Sequence, residues 1–203
     1  MPELTTRKHF SLIRSFHLAD LFTIANGVCG ATAIFQATKY VGTHDARHLF
    51  VAGALILVAL VCDVFDGWIA RWRHAASAMG RELDSLADVI SFGVAPAAVA
   101  FAAGANTWLD QAILLFFIAC GLSRLARFNV TAEHLSDNAG KVEYFEGTPI
   151  PTSIVPLGIL MLAFYTGNLA RMRILGVAVH AVTLPFLLSG SLMISKTLRI
   201  PKP

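Results

Sequence analysis

The sequence carries little charge for its length. Only 14% of its 203 residues are charged, whereas soluble domains have about 25%. Hydrophobic residues make up 56% of the chain, so a water-exposed surface over most of the chain is excluded. Because one membrane span takes about 20 apolar residues, the chain has room for roughly six spans and for no separate soluble domain. The composition therefore predicts an integral membrane protein.

Cysteine is also scarce, and the three that are present lie inside apolar runs without metal-ligand spacing. The odd set of Cys29, Cys62 and Cys120 predicts small apolar filler and not a disulfide framework. The net charge of +3 is too small to indicate a nucleic-acid partner. The chain has no visible repeat of 20–50 residues and no duplicated half, whereas transporters tend to show internal repeats.

Six apolar segments separate the polar residues. Their bounds are 18–40, 49–70, 83–104, 109–129, 150–168 and 174–196. We expect an all-α, polytopic membrane protein of six transmembrane helices, in which residues 18–203 form one membrane domain. The apolar stretch of the first segment is longer than a signal-peptide core, so we expect it to be a retained span. Residues 1–17 mix Phe10 and Phe16 with basic side chains, which predicts a short N-terminal interfacial helix.

The basic residues are divided unequally between the two sides of this membrane domain. Of the 16 lysines and arginines, 12 fall in the termini and in the connections on the same side as the termini, and 4 fall on the other side. Cytoplasmic loops carry the excess of basic residues in membrane proteins. We therefore expect a multi-pass protein of the cell (inner) membrane with both termini in the cytoplasm.

Four aspartates lie close to the cytoplasmic ends of the second and third predicted spans. Asp63 and Asp66 are three residues apart, and Asp84 and Asp88 are four apart, so each pair lies on one helix face. The short connection between the spans brings the two pairs together. Four carboxylates near hydrocarbon need a neutralising cation, and ligands that are all oxygen indicate a hard divalent ion. Helix capping or pairing with arginine accounts for one isolated aspartate more readily than for four at these spacings.

Small residues accompany these acids. Gly67 and Ala70 remove side-chain bulk next to Asp66, which would let a nucleotide base or a diphosphate approach the backbone closely. Arg71 adds a forked donor for phosphate. Gly80, four residues before Asp84, would open space at the start of the next helix, although a lone glycine there is more often a cap.

Together these residues match a family signature. The pattern D-x-x-D-G-x-x-A-R, then eight residues, then G-x-x-x-D-x-x-x-D, is filled without departure between residues 63 and 88. It resembles the motif of the CDP-alcohol phosphatidyltransferases. The resemblance implies a six-span membrane fold, a homodimer, and an active site that opens to the cytoplasm.

Three further segments resemble one branch of that family, the membrane-integral phosphatidylserine synthases. They are GRELDSLADVISFGVAPA (80–97), RLARFN (124–129) and GTPIP (147–151). Phosphatidylglycerophosphate synthases usually have proline where this chain has Ser85, and inositol-type enzymes generally lack the continuation at 91–96. The branch implies the substrates CDP-diacylglycerol and L-serine and the products phosphatidylserine and CMP.

The resemblance also implies roles for individual residues. Two divalent ions, Mg²⁺ or Mn²⁺, would be held by the motif acids Asp63, Asp66, Asp84 and Asp88. Asp88 would also be the catalytic general base for the serine hydroxyl. CDP and its diphosphate would contact Asp66, Gly67, Ala70, Arg71 and Gly80. Candidates for binding serine or the lipid phosphate are Arg124, Arg127, Asn129 and Ser91.

Some alternatives stay open on the sequence. Arg124 and Arg127 also suit the role of topology anchors that reach the membrane interface. Asn26 in the first span could contact the nucleotide or form a hydrogen bond between helices. The same chemistry with another acceptor, such as inositol phosphate, glycerol phosphate or choline, is the nearest rival function. A small transporter is a more distant one, because the acids lie at one membrane face and not at the midplane.

Overall fold

A computed structural model describes most of the chain. The described residues are 18–73, 78–137, 144–174, 177–195 and 199–201. The predicted interfacial helix of residues 1–17 lies outside them.

The described chain is mostly helical. Its α-helices are α1 (Leu18–Thr43), α2 (Ala46–Arg73), α3 (Ala78–Asp88), α4 (Ala95–Ala102), α5 (Trp108–Asp137), α6 (Ile154–Tyr165) and α7 (Leu184–Ile194). A π-helical segment, Val89–Val94, joins α3 to α4, and 3₁₀ turns at Ile150–Ser153 and Ala181–Thr183 lead into α6 and α7. Four short strands are β1 (Tyr144–Glu146), β2 (Arg171–Ile174), β3 (Val177–His180) and β4 (Arg199–Pro201).

Four helical segments are long and apolar enough to cross a membrane. They are Ala19–Thr43, Ala46–Ile69, Met79–Ala102 and Trp108–Val130. Each overlaps one of the first four predicted spans. Two shorter apolar helices, Ile150–Tyr165 and Ala181–Ile194, overlap the last two, so the count of six spans stays a prediction.

The exposed surface of these helices agrees with a lipid environment. Leu21, Phe35 and Leu115 are each more than 60% exposed. Large apolar side chains with this exposure, repeated along long helices, need a nonaqueous neighbour. The described part of the chain is therefore a membrane domain.

The start of the sixth predicted span was wrong. Residues from 174 onward were expected to be helical, but β2 and β3 form an antiparallel pair, with Arg171 opposite His180. β-Branched residues favour this hairpin, and an apolar run of this kind cannot be distinguished from a buried helix by periodicity. Helix α7 begins only at Leu184, where Pro185 lies in the first turn.

The described chain is mostly helical, which agrees with the expected all-α class, but it also contains short strands. Besides β2–β3, strand β1 pairs with β4 and ties the region after α5 to the C-terminal region. The fourth predicted span, 109–129, agrees with the candidate span Trp108–Val130, and helix α5 continues beyond it to Asp137. No proline or glycine occurs between Asn129 and Asp137, so nothing in the local sequence stops the helix. Pro149 and Pro151 lie at the start of the next helical region.

Close helix packing brings α1 against α2 and α3. A Cβ atom on Gly27 would lie 3.4 Å from the Cβ of Ala87, and one on Gly30 would clash with Ser91. The Ser91 hydroxyl donates to the Asn26 carbonyl at 2.8 Å. Glycine at these positions therefore lets α1 lie directly beside the end of α3, next to Asp88.

Candidate active site

The aspartate cluster forms where the last turns of α2 meet the first turns of α3. One carboxylate oxygen from each of Asp63, Asp66 and Asp84 lies within 4.8 Å of the others. Asp66 is buried, whereas Asp63 and Asp84 are half-buried. The structure thus brings together three of the four aspartates on which the sequence prediction rests.

Asp88 lies beside this cluster. It is only 7% exposed, and its carboxyl group is close enough to that of Asp63 to interact directly. Among the described residues, the three carboxylates that lie within 4.8 Å of one another are those of Asp63, Asp66 and Asp84, and Asp88 is not one of them. Its Oδ1 accepts a hydrogen bond of 3.2 Å from the Asn26 amide.

The donor set of the cluster fits a hard divalent cation. The Oδ1 atom of Asp84 is buried and has no hydrogen-bond partner among the described residues. A buried carboxylate oxygen without a partner is costly, and neighbouring carboxylates repel one another unless a cation neutralises them. Oxygen ligands alone suit Mg²⁺ or Mn²⁺ and do not indicate zinc. Asp63, Asp66 and Asp84 are therefore residues that could hold such an ion.

Helix α1 forms a third wall of the site, which the sequence prediction largely missed. The hydroxyl of Thr23 donates to Oδ2 of Asp66 at 2.8 Å, and Asp20 is close enough for its charge to act on Asp66. Asp20, Thr23 and Asn26 follow one another at intervals of three residues, so they share a helix face. A polar stripe in an otherwise apolar span was the available signal.

The structure describes the surroundings of some of the motif's small residues and not of others. A Cβ atom on Gly67 would meet no atom within 4 Å among the described residues, so packing against protein does not require glycine there. Gly80 lies in the first turn of α3, four residues before Asp84. The side chains of Ala70 and Arg71 lie outside the described part of the structure, although α2 continues through both.

Two candidate arginines lie on α5, and one of them, Arg124, approaches the cluster. Arg124 is half-buried, lies 5.6 Å from the ring centre of Phe128 and interacts electrostatically with Asp88. Arg127 is half-buried as well. In the part of the chain that the structure describes, neither guanidinium forms a salt bridge. Arg124 is therefore available to an anion near Asp88.

The two remaining acceptor-site candidates have protein partners. The buried Ser91 hydroxyl donates a hydrogen bond to the Asn26 carbonyl. Ser91 therefore lies in the contact between α1 and the π-helical segment. Asn129 on α5 bonds to Ser85 on α3, with Nδ2 and the Ser85 hydroxyl 3.0 Å apart. Its amide also approaches Glu82 at 3.5 Å. Asn129 thus connects the helix of the two arginines to the helix of Asp84 and Asp88.

A cavity of about 480 Å³ lies elsewhere, between α1, α4 and α5. Its lining is almost entirely apolar and includes Thr38 of α1 and Gln111 of α5. Thr38 is 12 residues beyond Asn26, about 18 Å along the helix. The cavity is therefore remote from the carboxylates.

Comparison with known proteins agrees with this site. The family model for CDP-alcohol phosphatidyltransferase matches residues 16–188, which include all four aspartates. The chain belongs to the CDP-alcohol phosphatidyltransferase family. A π-helical segment follows Asp88 directly in this chain. Such segments are rare in proteins and frequently occur at functional sites.

Three relatives of this phosphatidyltransferase bear the same name, CDP-diacylglycerol–serine O-phosphatidyltransferase. The protein of Saccharomyces cerevisiae is 43% identical over 206 residues, covering 96% of this chain and 74% of the relative. That of Bacillus subtilis is 38% identical over 150 residues, covering 73% and 77%. That of Mycobacterium tuberculosis is 35% identical over 153 residues, covering 74% and 51%, so the match spans about half of that relative.

Proposed function

We propose that this phosphatidyltransferase transfers the phosphatidyl group of CDP-diacylglycerol to L-serine, which yields phosphatidylserine and CMP. The observation that carries the proposal is the convergence of Asp63, Asp66 and Asp84 at one end of the helix bundle. It occurs in a chain of this family whose relatives are named for this reaction. A structural membrane protein has no need for such a cluster.

The motif acids would hold divalent ions, Mg²⁺ or Mn²⁺. Asp63, Asp66 and Asp84 are assigned to one ion, and Asp63, Asp84 and Asp88 to a second. Ions held there would supply positive charge for the diphosphate and for the departing CMP. The carboxylates would set the position of the ions relative to the diphosphate. Their own positions are held by the packing of α2 and α3 against α1.

Asp88 is assigned as the general base. It would take the proton of the serine hydroxyl as that oxygen forms a bond to the lipid-side phosphorus. The bond from this phosphorus to the bridging diphosphate oxygen breaks, and CMP leaves. Asn26 occupies Oδ1 of Asp88, so we assign the proton to Oδ2. Proton transfer concerted with attack suits a carboxylate, whose basicity is lowered by nearby cations.

The CDP group would lie along the small residues of the motif. The open space at Gly67 would let a diphosphate approach the backbone of α2. Ala70 and Gly80 would keep the neighbouring surface free of bulk, and Arg71 would contribute a cation for phosphate. Asp66 would contact the CDP group from the same helix.

The acceptor would bind between the acids and α5. Arg124 and Arg127 have no salt-bridge partner among the described residues, and bidentate pairing with a carboxylate or phosphate suits arginine. They would hold the serine carboxylate or the lipid phosphate. Asn129 would support this wall through Ser85. Ser91 would contribute through its contact with α1 and not through its hydroxyl.

The proposal includes a membrane arrangement. Six spans with both termini in the cytoplasm of a cell (inner) membrane would place the aspartates at the cytoplasmic face. The helical region Ile150–Tyr165 reaches only about 24 Å, less than the roughly 30 Å of a hydrocarbon core. Local thinning of the bilayer accommodates short helices of this kind. A homodimer is expected from the family resemblance.

An acceptor panel tests the proposal. Purified protein is supplied with CDP-diacylglycerol, Mn²⁺ or Mg²⁺, and radiolabelled L-serine, glycerol phosphate, inositol phosphate or choline. We expect CMP and labelled lipid to form in equal amounts with serine alone, and EDTA to abolish both. Labelled lipid from another acceptor but not from serine would overturn the serine assignment. Absence of CMP release with every acceptor would overturn the transferase assignment and favour a transporter.

A further inference from the structure

Helix α1 contributes two side chains that each bond to an acid on a different helix. The hydroxyl of Thr23 lies 2.8 Å from Oδ2 of Asp66 on α2. The Nδ2 atom of Asn26 lies 3.2 Å from Oδ1 of Asp88 on α3. Thr23 is 4% and Asn26 is 0% exposed, so neither bond is open to competition from water. One face of α1 thus reaches one carboxylate of each motif pair.

The Thr23 hydroxyl donates to the Asp66 carboxylate in preference to a backbone carbonyl of its own helix. Its hydroxyl also lies 3.2 Å from the carbonyl of Ala19, which is the usual partner of a threonine inside a helix. A hydroxyl has a single proton, and the charged oxygen of Asp66 is both nearer and the stronger acceptor. The hydroxyl therefore restrains the orientation of the Asp66 carboxylate.

The bond of Asn26 is held by backbone packing. Gly27 and Gly30 allow α1 to lie against Ala87 and Ser91, and the Ser91 hydroxyl fixes the carbonyl of Asn26 itself. These contacts place the Asn26 amide opposite Asp88 without freedom to shift along the helix. The amide nitrogen faces the carboxylate, because the opposite orientation would set two acceptors against each other.

A role in packing alone does not explain Asn26. Its Oδ1 is buried and has no hydrogen-bond partner among the residues that the structure describes. Leaving a buried acceptor unpaired destabilises a fold, so an apolar residue would serve packing better. What Asn26 does provide is a donor aimed at the carboxylate assigned as the base.

We propose that Thr23 and Asn26 are positioning residues, which orient the carboxylates of Asp66 and Asp88 for metal binding and proton transfer. The proposal deepens the function proposed above and rests on it. Groups that hydrogen-bond to metal-ligating side chains typically change metal affinity or activity by about 10–100-fold when they are removed. Both residues act through an aspartate and need not touch the substrate.

Thr23 offers a shape-conserving test. Thr23→Val removes the hydroxyl and keeps the volume, whereas Thr23→Ser keeps the hydroxyl. The matched control is Thr32→Val, nine residues further on the opposite face of α1, where the hydroxyl donates to the Val28 carbonyl. Mn²⁺ binding to the full-length protein is titrated by electron paramagnetic resonance in the absence of substrate. We expect Thr23→Val to weaken Mn²⁺ binding about 10-fold, and Thr23→Ser and Thr32→Val to bind within about 2-fold of wild type.

Asn26 is tested by the split between kcat and KM. Asn26→Leu keeps the approximate volume and removes the donor, and Asn168→Leu on the exposed segment after α6 is its control. We expect kcat for Asn26→Leu to fall at least about 10-fold while KM for CDP-diacylglycerol changes less than about 3-fold, because misplacement of a reacting group slows chemistry more than binding. Equal losses in kcat and in affinity, together with a lower Tm, would indicate a packing role and overturn the assignment of Asn26.

The two proposals fail in different ways. If wild type forms phosphatidylserine and Thr23→Val binds Mn²⁺ as tightly as Thr23→Ser, the positioning role is wrong and the reaction stands. If Thr23→Val alone weakens Mn²⁺ binding but no acceptor yields CMP, the positioning of Asp66 stands and the proposed reaction is wrong. Because the Mn²⁺ titration needs no turnover, it tests the positioning role independently of the assay that tests the reaction.

Discussion

The Nδ1 atom of His180 lies 2.7 Å from Oδ2 of Asp110 in a buried contact between β3 and the start of α5. The Nε of Arg171 donates to Nε2 of the same imidazole at 3.4 Å. An Nε2 that accepts this bond leaves Nδ1 as the ring nitrogen that donates to Asp110. Asp110 also accepts bonds from Thr107 and Thr183. One carboxylate thus joins the β2–β3 hairpin to the bundle.

Replacement of Asp110 should destabilise the protein without affecting the metal site. Asp110→Ala leaves the backbone N–H and the ring Nδ1 of buried His180 without their acceptor and removes the bonds from the half-buried Thr107, which costs about 3 kcal/mol or more. Thermal unfolding in detergent should show a clear fall in Tm, and Mn²⁺ affinity should stay within about 2-fold, because Asp110 is 14 residues, about 21 Å, from Arg124 along α5.

The control for that experiment is Asp45→Ala. Asp45 is exposed, and its carboxylate caps α2 through the backbone nitrogen of Arg47. Loss of a cap of this kind costs about 1 kcal/mol. Equal losses of stability in Asp45→Ala and Asp110→Ala would contradict the role assigned to the buried network.

The sequence was sufficient for features that depend on neighbouring residues. The first four spans follow from continuous apolar runs, and the convergence of Asp63 and Asp66 with Asp84 follows from helical spacing and a short connection. Both signals are local, so no knowledge of the packing was needed. The motif also identified the family, to which the chain belongs.

The sequence was insufficient for features of the site and fold that depend on contacts between helices distant in sequence. Nothing local to Thr23 indicates that it meets Asp66, since that contact depends on which face of α1 packs against α2. The hairpin before α7 was missed because its apolar residues satisfy either a strand or a helix. Ser91 was assigned near the acceptor from its position in a motif, whereas its hydroxyl bonds to the backbone of α1.

Asp88→Asn should separate catalysis from binding. The amide keeps the size of the side chain but cannot accept a proton from the serine hydroxyl, so kcat should fall by about 10²-fold or more. Binding of CDP-diacylglycerol, measured by displacement of a labelled CDP-lipid, should persist within a few-fold. Turnover near that of wild type would show that Asp88 is not the base.

Asp84→Asn should stabilise the metal-free protein and remove its response to metal. In EDTA the clustered carboxylates repel one another, and Oδ1 of Asp84 is buried without a partner among the described residues. Neutralising one member relieves that repulsion, so Tm in EDTA should rise. Mn²⁺ at about 100 times its Kd should stabilise wild type by about 2.7 kcal/mol and Asp84→Asn hardly at all. A lower Tm for the variant in EDTA would argue that Asp84 has a structural partner.

Arg124→Gln should weaken binding of the anion that this side chain holds. A charge-assisted hydrogen bond contributes about 1.5–3 kcal/mol, so the corresponding KM should rise about 10-fold or more. If Arg124 binds the acceptor carboxylate, KM for serine rises and KM for CDP-diacylglycerol stays constant, whereas the reverse assigns it to the lipid phosphate. Arg47→Gln, at the exposed start of α2, is the control for general loss of charge. If Arg124→Gln leaves both KM values unchanged, Arg124 is a topology anchor and the acceptor site lies elsewhere on the surface around Asp88.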